Sequence, residues 1–169
     1  MRHPAKLRPA PDEAMLSPGE IGALIEALTF AQRELVSAVK DLRDDYRLGP
    51  RGPWIVGQIN RGQFRTQADV VRYYKVGRSI ITDEMRMLHQ AGLVATRTYE
   101  NDARQLGLTL TTLGEKFADR IGQALGMVIR ERVSHYSRPE ILACTRLLRD
   151  LASGVPAGVW TERQDEEYE

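Results

Sequence analysis

Between Val76 and Val94 four residues able to contact a nucleic acid, Arg78, Ser79, Thr82 and Arg86, alternate with the apolar Ile81, Met85 and Leu88. The apolar three fall at i, i+4 and i+7, so a helix here puts them on one side and the polar four on the other. Guanidinium and hydroxyl groups sharing one helical face can reach base edges and phosphates in a DNA major groove. Arg86 suits bidentate pairing with guanine, and Thr82 can meet either a thymine methyl or a base edge. Beyond Gly92 the period changes: Val94, Thr96 and Thr98 alternate in one run, Leu106, Leu108 and Leu110 in the next. That predicts a two-stranded hairpin with a polar tip from Tyr99 to Arg104, from which Arg104 can enter a minor groove.

No rival chemistry competes with this one. HExxH, GxSxG, Walker and dinucleotide glycine patterns do not occur, and His3, His89 and His135 lie at no metal-ligand spacing. No cofactor, metal or catalytic residue is therefore expected. His89 reads as a cation near a helix C-terminus, satisfying terminal carbonyls. Cys144, the single cysteine, permits no intrachain disulfide and suits a reducing cytoplasm. Its neighbours Ile141, Leu142, Leu147 and Leu148 predict an inert, buried thiol. No apolar run approaches the roughly 20 residues of a membrane span, and the first residues lack a signal-peptide core, so neither membrane nor export is expected.

A net charge of +1 hides an asymmetry. From Arg51 to Arg104, nine bases face Asp69, Asp83, Glu84, Glu100 and Asp102, a local excess of four, while the last residues are acidic. The basic segment coincides with the predicted reading elements.

The surrounding chain supplies elements to position them. Residues 1–16 are Pro-rich and basic, either a loose end or an arm that touches phosphate. Ser17 and Glu20 form a capping box for a helix predicted to run to about Asp45, in which Ile21, Leu28, Leu35 and Leu42 repeat every seven residues. With Leu24, Ile25 and Val39 they form a stripe suited to internal core or to a partner chain. A second helix carries Trp54, Ile55 and Ile59 inward and closes at Gly62; Thr66 then caps a short helix with Val70, Val71 and Tyr74 inside. After the hairpin, Thr112 to Glu115 reads as another capping box, opening a long helix in which Gly122 and Gly126 predict close approach by another helix. Ser137 and Glu140 begin a last helix through Ile141 and Leu148. Residues 154–169, with Trp160, read as an acidic tail.

Gly92-Leu93-Val94, Arg97, Asp102-x-Arg104 and Leu110-Thr111-x-x-Gly114 together resemble the wing signature of the MarR family, winged-helix transcription regulators named for multiple antibiotic resistance. Leu48-Gly49 through Trp54-Ile55-Val56, and Thr66 through Val71, resemble that family's second and third helices. Where the family often has arginine, this chain has Thr96, followed by Arg97. The resemblance covers roughly residues 20–153. It implies a mainly α fold with a small β-hairpin wing: a winged helix-turn-helix over 48–111, and dimerisation helices over 17–46 and 112–153.

It also implies a homodimer on double-stranded DNA, acting as a ligand-responsive repressor at a pseudo-palindromic operator. Base reading falls to Arg78, Ser79, Thr82 and Arg86, and phosphate contacts to Arg65, Thr66, Arg72, Lys75 and Arg97. Asp102 orients the wing's Arg104, or merely forms the turn. The dimer would form through Ile21, Leu24, Leu28 and Leu35 with Ile141 and Leu148. Phe30, Tyr46 and Trp54, with Arg47 or Arg61 for an anion, either line a site for a small aromatic or phenolic effector or simply fill the junction. A winged-helix protein-interaction module without DNA binding and a small-molecule-binding protein are the alternatives; salt-insensitive or absent DNA association would favour them.

Overall fold

The computed structural model describes residues 16–99 and 102–152, with the backbone alone at 98–99 and 102–106. The basic arm through residue 15, the hairpin residues 100–101 and the tail from 153 lie outside the described residues. The chain divides into two units between Val36 and Ser37.

Nearly all of the first unit's described chain is α1, Pro18–Ala38. Its start is the expected box: the Ser17 amide and hydroxyl donate to Glu20 Oε2 at 2.8 and 2.7 Å. The Ser17 hydroxyl and then its amide hold the Glu20 carboxyl below its ordinary pKa. No residue of α1 is buried, and Ile21, Ile25 and Phe30 are exposed. The helix does not continue to Asp45. It stops before Val39 (φ −110°, ψ 7°), and a separate short helix, α2, spans Lys40–Asp45. Val39 is β-branched and stiff in a helix, and its side chain enters the core with Leu42. The seven-residue repeat therefore mixes two fates: Leu42 is core, whereas Ile21 lies open and Leu28 and Leu35 are half-covered.

In the second unit α2 is followed by α3 (Gly52–Asn60), α4 (Gln67–Tyr74), α5 (Arg78–Gln90), β1 (Val94–Tyr99), β2 (Asp102–Leu110), α6 (Thr112–Val133) and α7 (Arg138–Leu151). The core collects Ile55 and Val56 of α3, Val70 of α4, Ile81 and Leu88 of α5, Leu93 and Phe117, all within 1% of fully buried. Gly62 (φ 70°) and Gly92 (φ 68°) follow α3 and α5 in the left-handed conformation that glycine adopts without strain. No described helix is long and apolar enough to cross a membrane.

The antiparallel hairpin pairs Val94 with Leu110, Thr96 with Leu108 and Thr98 with Leu106, so the two alternating runs of the sequence lie opposite one another. Its tip differs. Tyr99 pairs with Asp102, so residues 103–105 bulge out of register, and Asp102 and Arg104 belong to β2 rather than to a loop. A further bridge joins Thr66 to Gly107, and the Leu108 amide donates to the Arg65 carbonyl at 2.7 Å. The chain entering α4 is thus stitched to the wing.

Thr111, not Thr112, caps α6: its hydroxyl accepts from the Gly114 amide at 3.0 Å and donates to the Gly92 carbonyl at 2.6 Å. With the cap one residue earlier, Glu115 falls outside the third helical position, and no capping box forms. Gly114 is there for space, because a Cβ would lie 2.0 Å from the Leu93 carbonyl oxygen. Gly122 and Gly126 differ from expectation. Nothing lies within 4 Å of a Cβ at Gly122, and only the chain's own Arg130 approaches one at Gly126, so no described helix packs there. The box at Ser137 and Glu140 does form and holds the Glu140 carboxyl below its ordinary pKa. No residue of α7 is buried. Cys144 is accordingly exposed, contrary to the buried thiol expected, because its neighbours Leu142, Leu147 and Leu148 are themselves exposed.

Candidate nucleic-acid interface

The interface is built on α4 and α5. Thr66 fixes the start of α4: its amide and hydroxyl donate to Asp69 Oδ2 at 2.8 and 3.0 Å, and its hydroxyl accepts from the Asp69 amide at 3.3 Å. Those groups are committed to the cap, so Thr66 sets the position of α4 more directly than it offers a phosphate donor. Lys75 ends α4 in the left-handed region (φ 51°), and Gly77 opens α5 with no capping side chain. No acidic residue occupies the first turn of α5, which leaves its positive end free for an anion.

On α5, Ile81, Met85 and Leu88 are buried, and Arg78, Ser79, Thr82 and Arg86 are all exposed, the division expected from their spacing. Arg65, Arg72, Lys75 and Arg97 are exposed around them. Arg86 pairs with Asp83 at 3.0 Å and Arg72 with Asp69 at 3.2 Å. Exposed pairs of this kind are worth about 0–1 kcal/mol, so both guanidinium groups can exchange partners. His89 sits in the last turn of α5 as expected, but its Nε2 lies 3.5 Å from Thr96 Oγ1 and links the helix to β1. The side chains of Asp102 and Arg104 lie outside those described, so the proposed orientation of one by the other has no counterpart here.

Two contributors escaped the sequence reading. Gln67, first residue of α4, donates from Nε2 to Thr82 Oγ1 at 3.1 Å and ties α4 to the outer face of α5. Glu84, on the inner side of α5, is 3% exposed. Its Oε1 accepts from the Arg51 amide at 3.3 Å and pairs with the Arg51 guanidinium at 3.5 Å, while Oε2 has no hydrogen-bond partner. Arg51 also lies over the Tyr74 ring at 5.7 Å. Burial, then the neighbouring Tyr73, raises the Tyr74 pKa well above its ordinary value. Glu84 was legible in principle, since it lies three residues after Ile81 and four before Leu88, on the apolar side.

Of the residues expected in an effector site, Phe30 belongs to the first unit and Tyr46, Arg47, Trp54 and Arg61 to the second. Tyr46 packs edge-on against Phe117 with centroids 4.8 Å apart, and Trp54 packs on the core. Arg47 is exposed at φ 53°, and Phe30 is exposed on α1 beneath the Arg33 guanidinium. Arg61 alone of the five lines a cavity of about 400 Å³ between α3 and α6, with Asn60, Asp119, Gly122, Gln123 and Arg130 among its walls.

No protein-family model matches the sequence, and no curated protein matches it either. Solved structures do. A putative MarR family transcriptional regulator from Listeria monocytogenes, complexed with 26mer DNA, superposes with a TM-score of 0.66 at 17% identity, over 77% of this chain and 87% of that one. A MarR family protein from Bacillus stearothermophilus gives 0.64 at 17%, over 83% and 98%. Wild-type MarR from E. coli in its apo form gives 0.59 at 17%, over 81% and 98%. The fold is that of the MarR family. In this MarR fold α4 and α5 form the helix-turn-helix, and β1 and β2 the wing. The mainly helical architecture with its small two-stranded sheet is the one the sequence resemblance implied.

Proposed function

We propose that this protein is a sequence-specific DNA-binding regulator of transcription that acts as a homodimer. The observation that carries the reading is α5: four polar residues lie exposed opposite a fully packed face, beside an uncapped positive helix end. The likeness to a Listeria protein crystallised with DNA supports it. Arg78, Ser79, Thr82 and Arg86 read bases in the major groove, while Arg65, Arg72, Lys75 and Arg97 meet phosphates. Arg104 meets the minor groove, where a narrow A·T-rich stretch attracts arginine.

Dimerisation rests on α1 and α7. Neither helix has a buried residue: Ile21 is exposed on the first unit, and Leu147, Leu148 and Leu151 on the second, apolar groups that a second copy would cover. A two-fold pair of reading helices then calls for a pseudo-palindromic operator. Release by a small molecule completes the reading as a repressor. Arg61 and Arg130, against the single acid Asp119, give the α3–α6 cavity an excess of positive charge for an aromatic carboxylate. Such a ligand acts only through different affinities for the DNA-bound and free conformations.

Binding curves at several salt concentrations for Arg86→Ala and Arg104→Ala test the assignment. Arg86→Ala is expected to cost roughly 1–3 kcal/mol on the operator and to erode discrimination between half-site sequences. Arg104→Ala should weaken operator and random duplex alike and flatten the log-log salt slope by up to about 0.9 for each phosphate left without its cation. Unchanged affinity in both variants would remove the DNA-reading role.

A further inference from the structure

We infer that α5 reads a thymine through the methyl group of Thr82, and that Gln67 of α4 is the positioning residue that fixes the Thr82 hydroxyl so that its proton is not offered to a base. The inference rests on the DNA-binding role proposed above and specifies which chemistry one reading position uses.

The Thr82 hydroxyl has one proton and two lone pairs. Its proton goes to the Arg78 carbonyl, one turn back in the same helix, at 3.0 Å. One lone pair accepts the Gln67 amide proton at 3.1 Å. Held at both points, the β-branched side chain is fixed about χ1. The hydroxyl of this exposed residue is then unable to donate to a base and keeps one lone pair for accepting, which leaves the Cγ2 methyl as its apolar contact group. In the major groove the matching apolar feature is the thymine C5-methyl.

The neighbourhood fits an apolar contact. Gln67 and Arg78, the two residues that hold the hydroxyl, also line a hollow of about 300 Å³ together with Ala68 and Val71. Ala68 and Val71 give that hollow apolar walls, with Arg78 as its one charged residue.

The test starts from duplexes selected by the wild-type protein out of a random pool. Each thymine of the selected half-site is replaced in turn by deoxyuridine, which lacks only the methyl group. One position should show an affinity loss of about three- to fivefold, the scale of one buried methyl. Thr82→Val, which keeps the methyl and loses the hydroxyl, should retain that penalty; Thr82→Ser, which does the reverse, should abolish it at that position alone. Gln67→Met, similar in length but unable to donate, should at least halve the penalty while affinity for random duplex stays unchanged. A penalty that survives Thr82→Ser or disappears in Thr82→Val overturns the inference, as does selection that succeeds with no methyl-dependent position. Failure to select any duplex would overturn the DNA-reading role itself, a separable result.

Discussion

Arg51→Met should destabilise the protein far more than Glu84→Gln, although both remove the same ion pair. The Glu84 side chain is 3% exposed and that of Arg51 31%, with 3.5 Å between Nη1 and Oε1. At an effective dielectric of about 20, that separation corresponds to roughly 5 kcal/mol of attraction. Solvent at the arginine screens part of this, which brings the expected cost of Arg51→Met to about 2–3 kcal/mol, below the usual 3–5 for a wholly buried pair. The cost arises because a carboxylate stays buried without its cation. Glu84→Gln removes that charge yet keeps an acceptor for the Arg51 amide, so its expected cost is about 1 kcal/mol. The double variant should then be more stable than the sum of the two single effects implies. Urea unfolding of the wild type and the three variants gives the cycle. Additive effects, or a larger effect for Glu84→Gln than for Arg51→Met, would refute the view that this pair holds α5 to the start of α3.

Other outcomes follow from separate contacts. Gly114→Ala places a methyl 2.0 Å from the Leu93 carbonyl oxygen and should cost about 1–3 kcal/mol or more in thermal or urea unfolding, whereas Gly122→Ala, with open space around it, should be neutral or stabilising for the isolated chain. Leu28→Asp puts a charge on the proposed dimer seam of α1, and light scattering should show loss of dimer mass; a folded variant of unchanged mass would exclude that seam. Tyr74 has a raised pKa, so the stability it contributes is fully present below the ordinary tyrosine value of about 10 and is lost as pH rises above it. Alkaline unfolding followed by tyrosinate absorbance should therefore shift upward in Tyr74→Phe.

Local grammar was the legible part of the sequence. The boxes at Ser17 and Ser137 and the cap at Thr66 need only residues close in the chain, and all three form as their spacing implies. The two faces of α5 and the two alternating runs of the hairpin likewise follow from periods of 3.6 and 2. The features that escaped it depend on three-dimensional neighbours. The break at Val39 is invisible to a heptad count, because Leu42 keeps the seven-residue spacing while changing its surroundings. Two adjacent threonines make Thr112 look like the cap, and only the approach of Gly92 selects Thr111. The bulge at 103–105 interrupts no hydrophobic alternation, so nothing in the residue types marks it. Gln67 reaches the site through a hydrogen bond across fifteen residues, and Glu84 reads as surface by its charge, though its position in the helix places it inside.

The salt dependence of wild-type binding to a selected duplex tests the central claim most directly. If α5 and its basic surroundings grip the sugar-phosphate backbone in two copies, log affinity should fall linearly with log salt concentration, with a slope of about 0.9 per neutralised phosphate and several phosphates in all. Absent association at low salt, or a slope near zero, would contradict it.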